Sequence, residues 1–195
     1  MPEGNIDTES EFELPLQRYR SLRRAGEIKA DPVQELGAEK LQSLHHALKG
    51  YQPADESWLA GWKDRFGLGR STDEPPQGLF IFGPVGRGKS MLMDLFFESA
   101  PVERKRRVHF HAFMLEIQER LTEERKTAKR DDPLMAVASD VADETWLICF
   151  DECHVVNIAD AMILGRLFQG LFERGGVVVA TPNSAPQDLY QAGLQ

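Results

Sequence analysis

The fold is decided by one stretch of the sequence, Leu79-Phe80-Ile81-Phe82-Gly83-Pro84-Val85-Gly86-Arg87-Gly88-Lys89-Ser90. Its last eight residues match the pattern G-x-x-x-x-G-K-S/T, which marks a phosphate-binding loop (P-loop) when it follows a strand and opens a helix. The apolar run before the loop predicts that strand, and the apolar residues spaced along 89–99 predict the helix. The alternative, a chance glycine loop before a helix, does not account for both flanking elements.

Each residue type in the loop has a chemical reason. Backbone N–H groups must approach phosphates closely, so Gly83, Gly86 and Gly88 supply unusual dihedral angles and leave no side chain in the way. We predict that Lys89 reaches the β- and γ-phosphates and that Ser90 ligates Mg²⁺, while the helix N-terminus adds a favourable dipole. The predicted nucleotide-binding residues are Gly83, Pro84, Val85, Gly86, Arg87, Gly88, Lys89, Ser90 and Met91.

A second motif places two carboxylates after another apolar run, Trp146-Leu147-Ile148-Cys149-Phe150-Asp151-Glu152. Ligands bind at the carboxyl ends of buried parallel strands, and this run resembles a Walker B strand ending there. Asp151 is the predicted metal ligand, acting through the water shell of Mg²⁺, and Glu152 is the predicted catalytic base that orients the attacking water. Taken alone the run fits an ordinary strand-to-loop junction equally well, but its position after a P-loop favours Walker B.

A third apolar run, 177–181, ends in Thr181-Pro182-Asn183. Asn183 or Thr181 could contact the γ-phosphate or the lytic water, whereas a plain turn is the alternative reading of Pro-Asn-Ser. The order of the three motifs along the chain favours the first reading, with Asn183 as the predicted catalytic residue. The sequence lacks the Asn-Lys-x-Asp motif that reads guanine in GTPases, so we expect ATP rather than GTP.

The remaining pattern predicts an α/β fold. Apolar runs at 79–82, 107–111, 146–150 and 177–181 alternate with helical patterns at 89–99, 112–129 and 158–173, as in a parallel sheet with flanking helices. Residues 1–20 are acidic and poor in apolar side chains, which predicts a disordered tail. Residues 21–77 then form a helical N-terminal extension and linker, and residues 78–195 form the P-loop core.

Within the extension, one helix is predicted to begin after Asp31, an N-cap residue followed by Pro32. Gln34 completes a spacing like that of a capping box, and Gly50 is the expected stop. A second short helix is expected around 58–66, and the polar, turn-rich residues 71–78 form the linker. The predicted buried stripe of the first helix consists of Val33, Leu36, Leu41, Leu44 and Leu48.

Composition limits the other classes of function. The net charge of -8 argues against nonspecific binding to nucleic acid or anionic lipid. The acidic N-terminus is unlike a signal or mitochondrial presequence, and two cysteines do not make a disulfide framework, so we expect a cytoplasmic protein, at most peripheral at a membrane. The basic run 104–107 is predicted to be a solvated loop. His109 and His111 with Cys149 and Cys153 could in principle bind zinc, but their spacing does not favour it.

Several stretches are specific in their content and in their order along the chain: 78–95, 105–121 with its His109-Phe110-His111 centre, 132–134, 150–152, 157–164, 167–168 and 186–190. Together they resemble the cell division protein ZapE family, AAA+ ATPases that also have mitochondrial relatives. The resemblance extends over most of the chain after Asp31, and the block Ile158-Ala159-Asp160-Ala161-Met162-Ile163-Leu164 after the Walker B strand is particular to the family. The chain departs from the family pattern at Cys153, Asn157 and Pro182.

The resemblance implies a bacterial cytoplasmic ATPase that acts on a protein partner of the division machinery, with a strand order 5-1-4-3-2 and a helical lid. It also implies a homo-oligomer as a possibility, since such ATPases take an arginine finger from a neighbouring subunit. The sequence stops at Gln195, soon after the fourth strand, so we expect a fragment that by itself binds ATP weakly and does not hydrolyse it. Two alternatives stay open: an ATP-dependent binding module without turnover, and a helicase-loader-like ATPase, which would show salt-sensitive affinity for nucleic acid.

Overall fold

The computed structural model describes residues 14–53, 75–127, 130–153 and 158–183. Four strands are found in these residues: β1 (Leu79–Phe80), β2 (Lys105–His109), β3 (Leu147–Asp151) and β4 (Val177–Thr181). The helices of the same residues are α1 (Pro15–Ala25), α2 (Pro32–Leu48), α3 (Lys89–Ser99), α4 (Phe110–Thr127), α5 (Pro133–Glu144) and α6 (Ile158–Glu173).

The four strands form one parallel sheet in the order β1-β4-β3-β2. The register pairs His109 with Asp151 and Asp151 with Thr181, so that the carboxyl ends of β2, β3 and β4 meet at one edge. The P-loop leaves β1 toward the same edge, because parallel strands all end on the same side of their sheet. The predicted α/β class with a parallel sheet is confirmed.

Alternate residues of the strands belong to two separate hydrophobic cores. Leu147 and Cys149 of β3 pack with apolar residues of α1, α2 and α3, which cover the first face of the sheet. Ile148 and Phe150 pack with α4, α5 and α6, which cover the second face. Burial on both faces explains why these strands read as continuous apolar runs rather than as alternating patterns.

The predicted boundary of the disordered tail at residue 20 is wrong. Helix α1 begins at Pro15, a residue suited to the first helical turn, and ends before Gly26, which caps it with a left-handed φ of 78°. Tyr19 is fully buried in the first core, so this helix has an apolar anchor that the acidic composition around it concealed. Residues 1–13 lie outside the described part of the chain.

The helix predicted after Asp31 is confirmed, with two differences. The Asp31 carboxylate caps α2 by accepting a hydrogen bond from the backbone N–H of Val33 at 2.9 Å. Leu41, Leu44 and Leu48 are buried as predicted, whereas Val33 and Leu36 are 68% and 54% exposed. The side chain of Gln34 does not close a capping box and contacts the P-loop instead. The helix expected around 58–66 lies outside the described residues.

Two further elements differ from the sequence-based expectation. The chain folds into α5 after Asp132, whose carboxylate accepts from the N–H groups of Leu134 and Met135, and no helix was predicted there. The basic run expected to be a solvated loop is largely part of β2, which begins at Lys105. Among the described residues, none of the helices is long and apolar enough to cross a bilayer.

Candidate nucleotide-binding and metal site

The predicted P-loop lies between β1 and α3, with the backbone conformation that phosphate binding needs. Gly86 and Gly88 have φ angles of 81° and 77°, in the left-handed region that favours glycine. A Cβ atom added at Gly83 or Gly86 would meet nothing within 4 Å, so the concave side of the loop is open. The loop ends at Lys89, the first residue of α3, whose N-terminal N–H groups have no partner within the helix.

The side chain of Lys89 folds back over the loop. Its ammonium donates hydrogen bonds to the carbonyl oxygens of Gly83 at 2.7 Å and Pro84 at 3.0 Å. It also donates to Oδ1 of Asn183 at 3.0 Å, which joins the P-loop to the residues that follow β4. The structure therefore brings two of the three predicted catalytic residues together.

The two candidates after β4 are in different surroundings. Thr181 is buried, and its hydroxyl donates to the carbonyl oxygen of Phe150 at 3.3 Å, within the sheet. Asn183 is exposed and contacts Lys89. Of the two, Asn183 is the one whose side chain lies at the P-loop.

The predicted metal ligands have the right chemistry for Mg²⁺. Ser90 is exposed in the first turn of α3, and Asp151 is the last residue of β3, with 8% of its surface exposed. Hydroxyl and carboxylate oxygens are the hard donors that Mg²⁺ takes, usually with several waters retained. This donor set, beside an open phosphate loop, fits a hydrated magnesium ion carried by a nucleotide.

Glu152 follows Asp151 in an unusual backbone conformation. Its φ of 52° makes it the one residue other than glycine with a positive φ in the described part of the chain. Residues other than glycine that hold such angles cluster at active sites, where the turn aims a side chain. The exposed carboxylate of Glu152 is thus turned out of the strand direction at the edge of the sheet where the P-loop ends.

Arg107 of β2 is a member of the site that the sequence analysis missed. Its Nε donates to Oδ2 of Asp151 at 2.7 Å and its Nη2 donates to Oδ1 at 3.2 Å, while Nη1 contacts Asp94 of α3. Burial alone would lower the pKa of this guanidinium, but the hydrogen bonds to Asp151 and Asp94 outweigh that effect and raise the pKa above its usual value. No local signal in the sequence marks Arg107, because its contact with Asp151 depends on the pairing of β2 with β3.

The first turn of α2 supports the P-loop from the other side, which was also missed. The Gln34 side-chain amide donates to the carbonyl oxygen of Arg87 at 3.1 Å, and the Arg87 guanidinium donates to Oδ2 of Asp31 at 3.0 Å. A Cβ atom on Gly88 would lie 2.9 Å from Nε2 at the flexible end of the Gln34 side chain, so it is the left-handed φ of 77° that favours glycine here. Asp31 thus caps a helix with one oxygen and holds the P-loop with the other.

A cleft of about 250 Å³ opens between the start of α2 and the P-loop. Apolar side chains form most of its wall, and the polar groups of Asp31 and Gln34 lie at one end. It continues onto the loop itself at Gly83 and Lys89. The lining residues are Asp31, Val33, Gln34, Ile81, Phe82, Gly83, Pro84, Arg87, Lys89 and Leu92.

The cysteines and histidines considered for zinc differ in their surroundings. Cys149 and Cys153 are buried free thiols, and burial raises the pKa of Cys149 to about 12 and that of Cys153 to about 11. His109 and His111 are exposed. Within the described residues no group of three or more His, Cys, Asp or Glu side chains is placed to hold a metal ion.

A family model for AFG1-like ATPases matches residues 13–195. The chain belongs to the AFG1-like ATPase family. Lactation elevated protein 1 homolog B of Danio rerio is 52% identical over 218 aligned residues, covering 91% of this chain and 43% of that protein. Cell division protein ZapE of Escherichia coli K12 is 41% identical over 186 residues, covering 93% of this chain and 48% of that protein. The predicted family resemblance is confirmed, and the chain spans about half the length of the curated relatives it matches.

Solved structures support the fold of this AFG1-like ATPase chain. A crystal structure of DnaI aligns with a TM-score of 0.54 at 14% identity, covering 89% of this chain and 80% of DnaI. A DNA replication initiation factor aligns with a TM-score of 0.51 at 14% identity, covering 82% of this chain and 41% of the other. At such low identity the likeness concerns the fold alone, and it agrees with the predicted α/β fold with a parallel sheet.

Proposed function

We propose that this chain binds Mg-ATP at the P-loop and that the whole protein hydrolyses it to ADP and phosphate. The observation that best supports the proposal is the hydrogen bond between Lys89 and Asn183, which brings two residues from distant parts of the sequence to the open side of the loop. Membership in the AFG1-like ATPase family supports the same reaction. Because the chain spans less than half of each named relative, the activity belongs to the whole protein.

The proposed roles follow from charge and position. The Lys89 ammonium leaves the carbonyl oxygens of Gly83 and Pro84 for the β- and γ-phosphates, which are stronger acceptors. Asn183 contacts the γ-phosphate from the end of β4. Ser90 and Asp151 hold Mg²⁺, which when bound neutralises charge on the phosphates.

Glu152 is the proposed base. Its carboxylate is exposed next to Asp151, and the left-handed turn directs it away from the strand. It orients the attacking water and accepts its proton as the water oxygen bonds to the γ-phosphorus and the bond from that phosphorus to the bridging oxygen of ADP breaks. Such a role contributes about 10²- to 10⁴-fold to a rate. Lys89 stabilises the charge of the transferring phosphoryl group without needing to move a proton.

The adenine base is proposed to occupy the cleft between α2 and the P-loop. Val33, Ile81 and Phe82 offer apolar surface to a flat ring, and Val33 and Phe82 are 68% and 56% exposed there. Burying such surface against a base is favourable, roughly 25 cal/mol for each Å² removed from water. The polar groups of Asp31 and Gln34 at one end supply the directional contacts that a base requires.

For the role of the whole protein in the cell, the proposal is the same as the prediction from the sequence. The E. coli relative is named a cell division protein, which supports a protein partner in the division machinery. We further propose a cytoplasmic ATPase that forms homo-oligomers when full length. Its N-terminal extension includes α1, which begins at Pro15, and precedes a core starting at residue 78. Nucleic acid is not the proposed ligand, since the net charge is -8.

The P-loop assignment is tested with Lys89→Ala in the full-length protein, with Lys126→Ala as the matched control. Lys126 is an exposed lysine of α4 that pairs with Glu123, away from the site. Titration with a fluorescent ATP analogue should show affinity lowered by about tenfold or more in Lys89→Ala, since a charge-assisted partner of the phosphates is lost. Unchanged affinity in Lys89→Ala would show that the loop is not the nucleotide site.

Turnover is tested with Glu152→Gln, with Glu173→Gln, an exposed carboxylate of α6, as the control. The amide keeps the shape of the side chain but lacks its basicity, so phosphate release should fall about 10²- to 10⁴-fold while nucleotide stays bound. Release at the wild-type rate would remove Glu152 from the mechanism. If the wild-type protein binds ATP but releases no phosphate, the alternative of a binding module without turnover is correct.

A further inference from the structure

Arg107 lies between the two structural elements that carry the predicted metal ligands. Its guanidinium engages both oxygens of Asp151 through Nε and Nη2, at 2.7 and 3.2 Å, and reaches Asp94 through Nη1. The side chains of Arg107 and Asp151 are 23% and 11% exposed, whereas that of Asp94 is 49% exposed. The three residues form a network of ion pairs that extends from the sheet to the P-loop helix.

The contact with Asp94 brings this guanidinium to the P-loop helix, one turn away from Ser90. Residues four apart in an α-helix lie on the same face, one turn of about 5.4 Å along the axis. Ser90 and Asp94 of α3 have this spacing, so the arginine that reaches Asp94 lies next to the helix face that carries Ser90. The guanidinium therefore borders the space between Ser90 and Asp151 from within the protein.

We propose that Arg107 is an internal cation that competes with the nucleotide-bound Mg²⁺ for Asp151, and that Asp94 holds the guanidinium when the metal takes its place. This inference rests on the proposed role of Asp151 as a metal ligand. Arg107 acts through Asp151 and is a positioning residue rather than a catalytic one.

Competition follows from charge and geometry. An arginine is charged at every physiological pH, and its planar fork fits the two oxygens of a carboxylate. While both Asp151 oxygens accept hydrogen bonds from the guanidinium, a second cation that approaches Asp151 is repelled by the positive charge of Arg107. The two oxygens are also weaker metal ligands, because they already accept these hydrogen bonds. A half-buried arginine released without a partner would be costly, but Asp94 already contacts Nη1 and provides the second carboxylate that avoids this cost.

The preceding residue, Arg106, is an arginine of the same strand whose contacts are structural only. Arg106 points to the second face of the sheet, where it forms a two-point ion pair with Glu116 of α4 and lies over the ring of Phe113 at 5.9 Å. Its exposure, 32%, is close to that of Arg107. Neither of these partners belongs to the site, so Arg106 is a matched control for charge, strand position and burial.

The experiment measures metal affinity rather than activity. In the full-length protein with a bound ATP analogue that is not hydrolysed, Mn²⁺ is titrated as the probe and free Mn²⁺ is followed by electron paramagnetic resonance. Arg107→Gln should raise the affinity for Mn²⁺ by about tenfold, because a charge-assisted competitor is removed from Asp151. Arg106→Gln should leave the affinity unchanged.

The variant Asp94→Asn gives the opposite sign. Without its second carboxylate the guanidinium stays on Asp151, so the affinity for Mn²⁺ should fall by about threefold or more. A merely structural role for the cluster predicts that Arg107→Gln and Asp94→Asn both weaken metal binding. Arg107→Lys, which keeps the charge but cannot engage both oxygens, should raise the affinity less than Arg107→Gln does, and it serves if the glutamine variant fails to fold.

Unchanged or weakened Mn²⁺ affinity in Arg107→Gln, or in Arg107→Lys where that variant must replace it, overturns the inference. The proposed function fails separately and visibly, since nucleotide affinity would then be insensitive to Lys89→Ala. Nucleotide binding that depends on Lys89, together with Mn²⁺ affinity that ignores Arg107, would leave the nucleotide site in place and remove only the competition.

Discussion

The two faces of the sheet are covered by helices of different kinds. On the second face, α4 to α6 form a core of aliphatic and aromatic side chains, in which the ring of Phe150 lies 4.9 Å from that of Phe113 and 5.8 Å from that of Phe110. On the first face, α1 and α2 of the N-terminal extension pack with the P-loop helix α3. That core also contains Tyr19 and His45, which carry polar atoms into the interior.

The difference shows that the N-terminal extension is part of the ATPase fold. The first face supports the nucleotide site directly, since Asp31 and Gln34 of the extension contact the P-loop at Arg87. The second face supports it indirectly, by fixing β3 so that Asp151 lies at the edge of the sheet. If this comparison is correct, damage to either core should unfold the same unit, and damage to α2 should also be felt at the nucleotide.

The largest effect is expected from Leu41→Ala on the first face and Leu171→Ala on the second. Both side chains are buried, with 0% and 1% exposure. Removing such a leucine typically costs about 2–5 kcal/mol, because apolar burial is lost and a cavity remains. Thermal and urea unfolding of the full-length protein should show similar destabilisation in the two variants. If the main unfolding transition is unchanged in Leu41→Ala, the extension unfolds separately from the rest of the protein.

A smaller effect is expected at the cap of α2. Asp31→Ala removes an N-cap and the partner of Arg87, so the unfolding free energy should fall by roughly 0.5–2 kcal/mol and the affinity for an ATP analogue should fall as well. Asp31→Asn keeps a good capping residue and loses the charge, so it should lower nucleotide affinity with little loss of stability.

The corresponding cap on the second face provides the comparison. Asp132 caps α5 and pairs with Arg166 of α6, away from the P-loop. Asp132→Ala should therefore destabilise the protein and leave nucleotide affinity unchanged. Equal loss of nucleotide affinity in Asp31→Ala and Asp132→Ala would mean that Asp31 acts only through stability.

These two caps also show where sequence reasoning succeeded and where it stopped. Asp31-Pro32 and Asp132-Pro133 are the same signal, and both begin helices. The helix after Asp31 was predicted because leucines follow at helical spacing. The helix after Asp132 was missed because α5 is rich in alanine and buries Ala136, Ala138 and Ala142, whereas the prediction relied on large apolar residues. β3, β4 and the P-loop were predictable because local patterns determine them, whereas β2 was predicted at 107–111 and lies at Lys105–His109.

The site could be predicted only as far as its motifs extend. Lys89 and Asp151 carry recognisable local signatures, and the order of the motifs indicated that Asn183 would lie near them. Arg107 carries no such signature, because its role comes from the register between β2 and β3, which is a tertiary property. For the same reason the contact of Gln34 with the P-loop was misread as helix capping.

The smallest effect concerns pH and depends on His45, which belongs to the first core. Its Nε2 lies 3.0 Å from the carbonyl oxygen of Ser99, whereas its buried Nδ1 has no hydrogen-bond partner among the described residues. Burial lowers the pKa of His45 below the usual 6.5; the hydrogen bond with Ser99 opposes this shift, and the charges of His46, Lys49 and Lys105 add to it. Protonation would place a second N–H at the unpartnered nitrogen.

Because the folded-state pKa lies below the unfolded value, the unfolded chain binds this proton first as the pH falls. The contribution of His45 to stability is therefore complete above about pH 6.5 and is lost as the pH drops from there toward the folded-state pKa, at up to about 1.4 kcal/mol per pH unit.

Unfolding by urea at about pH 7.5 and about pH 5.5 should show that His45→Gln loses less stability than the wild type. His111→Gln, which changes an exposed ring of α4 on the second face, should lose as much as the wild type. An acid dependence unaffected by His45→Gln would mean that the first face is no more acid-sensitive than the second, since His45 is the one buried histidine among the described residues.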